Sequence, residues 1–115
     1  MVNVAKESVL ELENRYGLNV EIIDPRTIVP LDIDIIGESV KKTSKLIILE
    51  EGVLRGGVGA EICSQVNEKF FDYLDYPIKR IASKNMAVPM SPFLEKAMIP
   101  NKDSVLDEIK EYLKL

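Results

Sequence analysis

The sequence predicts an α/β fold, that is, a parallel sheet with helices on both faces. Segments with the residue types of strands alternate with segments of helical periodicity, which is the pattern of β-α-β units. The apolar run in Lys45–Glu51 does not alternate with polar residues, as expected of a strand covered on both faces of a parallel sheet. A glycine-rich turn and a predicted helix start follow this strand, and ligands of open α/β sheets bind at such strand ends.

The first third of the chain is predicted to form a helix, a strand and a second helix. Apolar residues recur every three or four positions until Gly17, which suits the left-handed residue that ends many helices. Leu18–Asp24 then has the residue types of a strand. Pro25 and Pro30 indicate a loop, after which Asp32 is expected to cap the second helix.

The remaining elements continue the alternation. Lys45–Glu51 is the second predicted strand, and apolar residues at helical spacing over 62–74 predict the next helix. Ile78–Ser83 is the third predicted strand. Lys84–Pro100 contains several prolines and no periodicity, so it is predicted to be an extended surface loop. Asn101 then caps the last predicted helix.

Composition places the chain among globular proteins and argues against several functions. With 115 residues, 46% hydrophobic and 30% charged, residues 1–115 are expected to form one domain. The longest apolar run, Leu46–Leu49, is too short to span a bilayer, and neither a secretory nor a transit signal is visible in the sequence. A net charge of -4 and a pI of 4.9 argue against non-specific binding to nucleic acid, which needs clustered lysine and arginine.

The usual catalytic and metal-binding side chains are scarce. The chain contains no histidine, which is the commonest general base and transition-metal ligand, and a single cysteine, Cys63. Cys63 lies within an apolar helical pattern, so we expect a buried free thiol rather than a nucleophile, in a reducing compartment. Self-sufficient catalysis is therefore not predicted.

The turn after the second strand contains Gly52, Gly56, Gly57 and Gly59. A helix start with free N–H groups binds anions, which makes this turn a candidate phosphate site. The turn lacks the G-K-[ST] of a nucleoside triphosphate loop, and Ile62 occupies the last position of an incomplete G-x-G-x-x-G. A structural role is favoured, in which the glycines permit a tight reversal and the close approach of another backbone.

Two adjacent acids, Glu50 and Glu51, end the second strand. Successive side chains of a strand point to opposite faces, so these two carboxylates are not expected to share a proton. One hypothesis is that one of the two carboxylates faces the end of the strand and binds a partner or a bridging arginine such as Arg55. The favoured alternative is one solvated charge and one charge beside the following helix start.

Several blocks of the sequence together resemble the C-terminal domain of the beta subunit of 2-oxoacid dehydrogenases, and the pyruvate enzyme is the most similar type. The blocks occur in the order and spacing of that family and span nearly the whole chain. They are D-P-R-T-I-V-P-L-D at 24–32, E-E-G at 50–52, G-G-V-G-A-E-I at 56–62, Y-L-D-Y-P at 73–77 with Arg80, and V-P-M-S-P at 88–92 through Leu94-Glu95 to Ile99-Pro100.

This resemblance implies a transketolase C-terminal-domain-like fold. Such a fold is a three-layer α/β/α sandwich whose sheet is mostly parallel with one antiparallel strand. In the family a further strand precedes the first helix, whereas this sequence begins on a helix and supplies three strands, against about five or six in an average sheet. The chain is therefore expected to be a fragment of a longer beta subunit that lacks its N-terminal strand or strands.

The resemblance also implies the thiamine-diphosphate-dependent oxidative decarboxylation of a 2-oxoacid, with this chain inactive by itself. In similar enzymes the alpha subunit binds the diphosphate and magnesium, and the N-terminal domain of the beta subunit faces the aminopyrimidine. No catalytic, cofactor-binding or metal-binding residue is therefore expected in this chain. The implied partners are the alpha subunit and a second beta subunit in an α2β2 tetramer, in bacterial cytoplasm or mitochondrial matrix. Neither nucleic acid nor a membrane is expected as a partner.

The resemblance further implies docking to the subunit-binding domain of the dihydrolipoyl acyltransferase. Asp75 and the terminal carboxylate of Leu115 match acidic groups that meet basic residues of that partner, and acidic groups steer a cationic surface over a distance set by salt. Tyr76 stands where smaller residues are common in relatives. Without the resemblance, Asp75 would be interpreted as a helix-ending turn residue. The structural and interface residues implied by the family are Arg80, Pro89, Pro92 and Glu95.

Two alternatives to this interpretation stay open from the sequence. The chain could be the C-terminal domain of another thiamine enzyme, such as a branched-chain or acetoin dehydrogenase, a transketolase or a deoxyxylulose-phosphate synthase. It could instead be a stand-alone anion-binding or nucleotide-binding α/β module that uses the turn Gly52–Gly59.

Overall fold

The computed structural model describes residues 1–115 as five α-helices around a two-stranded sheet. A short 3-10 turn follows the third helix. No helix combines the length and the apolarity that crossing a bilayer requires. In chain order the elements are α1 (Val2–Tyr16), α2 (Ile33–Thr43), β1 (Ile47–Val53), α3 (Val58–Phe70), the 3-10 turn (Phe71–Tyr73), β2 (Lys79–Ser83), α4 (Pro92–Met98) and α5 (Lys102–Leu113).

The two strands pair in parallel and are connected by α3. Leu49 lies opposite Ile81, the register then shifts, and Val53 lies opposite Ser83. The order β1-α3-β2 is a β-α-β unit, the arrangement expected when a strand and a helix alternate along the chain. The predicted α/β class and the predicted parallel pairing are therefore confirmed.

Helices cover both faces of the sheet and bury a separate apolar core on each. On one face α1 and α5 pack over Ile47, Leu49 and Ile81. On the other face α2 and α3 pack over Leu46 and Ile48, so alternate side chains of this strand segment enter opposite cores. The predicted three-layer α/β/α arrangement is confirmed. The buried core residues are Leu12, Ile81, Val105, Leu106 and Ile109 on the first face and Ile33, Ile36, Val40, Ile62 and Val66 on the second.

Three helix ends have the chemistry that the sequence predicts. Gly17 ends α1 in the left-handed conformation, with φ of 64°. The Asp32 carboxylate caps α2 by accepting a hydrogen bond from the Ile35 N–H at 3.2 Å. The Asn101 side chain caps α5 by accepting one from the Ser104 N–H at 3.0 Å. The two N-terminal caps satisfy N–H groups that a helix start leaves without partners.

The strand predicted over Leu18–Asp24 is wrong. The segment has no neighbouring strand with which to share a hydrogen-bond ladder, and it runs as irregular chain. Its side chains are still distributed as in a strand covered on both faces, because Leu18 packs against the first core and Ile23 against the second. The Glu21 carboxylate accepts a hydrogen bond from the Ser39 hydroxyl at 2.7 Å, which fastens the segment to α2. The apolar pattern therefore predicted correctly that the segment packs against both cores, and predicted incorrectly that it forms strand hydrogen bonds.

A groove of about 290 Å³ separates this irregular segment from the first core. Residues 20–25 form one wall, and α1, α5 and the sheet residues Ile47, Leu49 and Ile81 form the others. Of its 18 lining residues, 14 are hydrophobic, so water in the groove finds few hydrogen-bonding partners. Apolar surface therefore remains open beside β1.

The extended loop predicted over Lys84–Pro100 is wrong between Pro92 and Met98, which form α4. Ser91 precedes this helix and Pro92 occupies its first turn, where a proline is tolerated because its missing N–H has no partner in the helix. A proline in a stretch without periodicity suggests that a helix ends rather than begins there. For this reason the short helix was not predicted. The Lys84 N–H donates to the Met98 carbonyl at 3.3 Å, so the two ends of the segment lie close together.

Two leucines of α1 test how much of the stability resides in the first core. Leu12 is 1% exposed and Leu10 is 59% exposed. We expect Leu12→Ala to lower the free energy of unfolding by about 2–5 kcal/mol, because it removes buried methyl groups and leaves a cavity. Leu10→Ala should change it by less than about 0.5 kcal/mol. Urea unfolding followed by circular dichroism measures both, and equal losses would contradict the assignment of this core.

Candidate functional site

A partly buried ion pair joins the two strands beside the glycine turn. Glu50 lies in β1 and Arg80 in β2, and Arg80 Nη2 donates to Glu50 Oε1 at 2.5 Å. The two side chains are only 13% and 17% exposed. Glu51, the neighbouring acid, is exposed, as expected for successive side chains of one strand. The carboxylate that faces inward is therefore already neutralised by a partner within the chain.

Both members of the pair make a second hydrogen bond that reaches the turn. Glu50 Oε2 accepts from the Gly59 N–H at 3.0 Å, in the first turn of α3. Arg80 Nη2 also donates to the Leu54 carbonyl at 2.7 Å. The hypothesis of a bridging arginine is thus correct in kind, but the proposed residue is wrong: Arg55 is exposed, and its N–H donates to Asn85 Oδ1 at 2.7 Å.

The four glycines predicted to form the turn lie in different elements, and the prediction is wrong for Gly52, which is part of β1. Gly56 has φ of 70°, a left-handed conformation that other residues rarely adopt. A Cβ on Gly57 would lie 2.6 Å from the Val53 carbonyl oxygen and 2.7 Å from a Glu50 carboxylate oxygen, and a Cβ on Gly59 would overlap the same carboxylate. Gly52 has ordinary φ and no atom within 4 Å of such a Cβ. Glycine is therefore required at positions 56, 57 and 59, whereas the strand residue Gly52 has no such requirement.

The turn does not provide an open anion site. The Gly59 N–H donates to Glu50, so a carboxylate already lies at the start of α3, where a bound phosphate would have to sit. No group of three His, Cys, Asp or Glu side chains could hold a metal ion. Cys63 is half-buried, and burial raises the pKa of its thiol. The glycine turn therefore does not fit a diphosphate group, because the Glu50 carboxylate already occupies the start of α3.

The two acidic groups predicted to bind a partner lie at the surface. Asp75 is exposed and forms no ion pair, and its N–H donates to the Ser44 carbonyl at 2.9 Å. Leu115 is 49% exposed. Between them, Tyr76 of the Asp75 turn contacts Tyr112 of α5 edge to face, with 5.6 Å between ring centroids. One aromatic contact therefore connects the two regions.

The segment before and within α4 exposes a set of large apolar side chains. The exposed fraction is 100% for Met90, 79% for Phe93 and 67% for Val88. Met86 and Leu94 are also about half exposed. We call these five residues the apolar loop surface. The family resemblance implied interface prolines in this segment. The large apolar residues in a stretch without periodicity are a further indication of an interface, because they do not follow the pattern of a core.

Glycine-to-alanine substitutions distinguish close approach from simple flexibility in the turn. Gly57→Ala should lower the free energy of unfolding by about 1–3 kcal/mol, because the Val53 carbonyl is backbone and must shift to admit the methyl group. Gly52→Ala is the matched control and should be neutral or stabilising by up to about 1 kcal/mol. Chemical denaturation of both variants measures the difference. A tolerated Gly57→Ala would refute the close approach.

The chain is similar to beta subunits of known dehydrogenases. It shares 46% identity with the pyruvate dehydrogenase E1 component subunit beta of Rhizobium meliloti (strain 1021), over 92% of this chain and 23% of that protein. The corresponding protein of Rickettsia felis is 44% identical over 96% of this chain and 33% of its own length. The acetoin:2,6-dichlorophenolindophenol oxidoreductase subunit beta of Bacillus subtilis (strain 168) is 41% identical over 97% and 32%.

These proteins are considerably longer than the chain described here. The chain spans between 23% and 33% of the length of these three curated relatives. A family model described as transketolase, C-terminal domain, matches residues 1–105, which is nearly the whole chain. Its expected layers, with helices on both faces of a parallel sheet, agree with the structure. The chain therefore belongs to the transketolase C-terminal domain family.

Proposed function

We propose that this chain is the C-terminal region of a pyruvate dehydrogenase beta subunit and that it acts by assembly rather than by catalysis. The observation that carries the proposal is the similarity, at 44–46% identity over more than nine-tenths of the chain, to proteins of that name. The enzyme would oxidatively decarboxylate pyruvate, while thiamine diphosphate and magnesium bind to other segments. The location of this enzyme in a bacterial cytoplasm or a mitochondrial matrix remains a prediction.

The chemistry of this chain's own residues supports the division of labour. Both carboxylate oxygens of the partly buried Glu50 are already hydrogen-bonded within the chain, one to Arg80 and one to the Gly59 N–H, so this acid is engaged in structure. The single thiol, Cys63, has a pKa raised by burial and therefore stays protonated near neutral pH. What the chain offers to other molecules is surface, in two chemically distinct regions.

The apolar loop surface supports assembly with the alpha subunit and a second beta subunit. Met90 is fully exposed and Phe93 is 79% exposed, and large apolar side chains clustered at the surface commonly mark protein interfaces. Burying such side chains contributes about 1.5–3 kcal/mol each. An α2β2 tetramer that covers this surface would keep it from water permanently, as obligate interfaces do.

Asp75 and the terminal carboxylate of Leu115 support reversible docking to the subunit-binding domain of the dihydrolipoyl acyltransferase. Asp75 has no ion-pair partner in the chain, so it can bind a lysine or arginine of a partner without first breaking an internal ion pair. The chain also carries a net charge of -4, which favours approach of a cationic surface.

The beta subunit of an acetoin-oxidising enzyme is a second candidate identity. The Bacillus subtilis relative is 41% identical over 97% of this chain, only a few per cent below the pyruvate relatives. The assembly role is the same in both cases. A co-expressed alpha subunit assayed with pyruvate and with acetoin distinguishes the two, because only one of them should be oxidised efficiently.

Asp75 provides the direct test of docking. Asp75→Asn should weaken binding to the acyltransferase subunit-binding domain by about tenfold, because a charge-assisted hydrogen bond contributes about 1.5–3 kcal/mol. The neighbouring exposed acid Asp72→Asn removes the same charge and is the matched control, with an expected effect of about twofold or less.

Extending the chain past Leu115 should also weaken the association, since the terminal carboxylate would become an amide. Calorimetry at low and at high salt measures all of these variants. Docking through Asp75 would be wrong if Asp75→Asn and Asp75→Ala both bind as tightly as the unmodified chain at low salt.

Phe93 provides the test of assembly. Phe93→Asp should lower the fraction of α2β2 tetramer, because a carboxylate would be buried without a partner at the interface. Leu10→Asp on α1 is the control, since Leu10 is also exposed but lies outside the apolar loop surface. Sedimentation after co-expression with an alpha subunit measures the tetramer. Equal tetramer fractions for both variants would exclude this surface from the assembly.

A further inference from the structure

Tyr76 and Tyr112 form an aromatic contact that is not needed to define the fold of this family. Tyr76 belongs to the turn between the 3-10 turn and β2, and Tyr112 lies in the last turn of α5. Their rings meet edge to face at 63°, with centroids 5.6 Å apart, a favourable geometry for aromatic pairs. The Tyr112 hydroxyl also donates a hydrogen bond to the Pro77 carbonyl at 2.9 Å. We call these two contacts the tyrosine clamp.

The tyrosine clamp is one of several connections that fix the Asp75 turn. On one side the Asp75 N–H donates to the Ser44 carbonyl at 2.9 Å, just after α2. On the other side Lys79 pairs with Glu108 of α5 at 2.9 Å. The clamp lies between these anchors and adds the only aromatic contact between the turn and α5. Asp75 is thus held by its backbone while its carboxylate projects into solvent.

The same clamp is close to the C-terminus. Tyr112 precedes Leu115 by three residues, and the Leu115 N–H donates to the Lys110 carbonyl at 2.9 Å. Lys114 adopts the left-handed conformation that ends α5. The position of the terminal carboxylate is therefore set by the end of α5, and the clamp attaches that end to the Asp75 turn.

Nearby cations are occupied with other partners, which leaves Asp75 available. Lys45 Nζ lies 4.8 Å above the ring of Tyr76, a cation–π contact. Lys79 is paired with Glu108. Neither lysine forms an ion pair with Asp75.

We propose that the Tyr76–Tyr112 clamp, by attaching the Asp75 turn to the end of α5, positions Asp75 and Leu115 for docking of a cationic partner. Tyr76 and Tyr112 are positioning residues in this site, since they act through the acids. The inference rests on the proposed docking function. It adds a specificity determinant, because a chain with a small residue at position 76 would hold the same two acids less firmly.

The test uses the full chain, with the acyltransferase subunit-binding domain as the probe. Tyr76→Ala removes the ring contact, Tyr112→Phe removes only the hydroxyl bond, and Tyr16→Ala changes an exposed tyrosine at the end of α1 as the control. Backbone amide relaxation of the unbound chain should show greater motion at residues 113–115 and at Asp75 in the two clamp variants and not in the control.

Affinity measured by calorimetry supplies the second readout. Tyr76→Ala should weaken binding about tenfold and Tyr112→Phe about threefold, whereas Tyr16→Ala should leave it unchanged. In an Asp75→Ala background, Tyr76→Ala should cost at most about twofold more, because the clamp acts through that acid. An equal loss in both backgrounds would show a general structural effect and overturn the inference.

The two proposals fail separately. Unchanged motion and unchanged affinity in both clamp variants, together with a clear loss for Asp75→Ala, would overturn the clamp and leave docking intact. Unchanged affinity for Asp75→Ala would overturn the docking function and with it the role assigned to the clamp. Greater motion in the clamp variants together with coupled losses of affinity supports the inference.

Discussion

The partly buried pair of Glu50 and Arg80 is the interaction on which the arrangement of the sheet and the glycine turn depends. It joins β1 to β2, and its additional hydrogen bonds to Gly59 and Leu54 connect the sheet with α3 and with the intervening turn. A charge withdrawn from water is destabilising without its partner, so each of the two residues requires the other. The absence of side chains at Gly57 and Gly59 follows from this pair, since a Cβ at either position would collide with the Glu50 carboxylate.

Much of the fold was accessible from local sequence, because its signals are short-range. Gly17, Asp32 and Asn101 mark helix ends through their own backbone and side-chain chemistry, and each lies where it was expected. The strand predicted over Leu18–Asp24 failed because an alternating or apolar pattern records burial, whereas a strand also requires a neighbour. The loop predicted around Pro92 failed because proline occurs both where helices end and in the first turn of helices.

The candidate site was harder to predict, because it is made of distant residues. Arg80 lies 30 positions from Glu50, so no spacing argument could prefer it over the adjacent Arg55. The glycines did indicate a close approach, although the approaching group includes a side chain as well as backbone. The surface loop predicted over Lys84–Pro100 did place Met90 and Phe93 outside the core, but no local pattern showed that their exposed side chains would form an apolar surface.

The proposed division between apolar and acidic surfaces has a kinetic meaning. Contacts made by residues such as Phe93 separate slowly, because a large apolar area must be rehydrated, and they suit subunits that stay together. Contacts made by Asp75 form quickly under electrostatic attraction and respond to salt, which suits a partner that exchanges. A single small domain can therefore contribute to a permanent assembly and to a reversible one.

The half-buried thiol of Cys63 makes this chain convenient for spectroscopy. Its raised pKa keeps the thiolate scarce near neutral pH, and thiol-reactive probes attack the thiolate. A second cysteine introduced at an exposed position would react first, while the native residue remains in place on α3. Fluorescent or paramagnetic labels could then report separately on each surface of the protein, without altering the packing around Cys63.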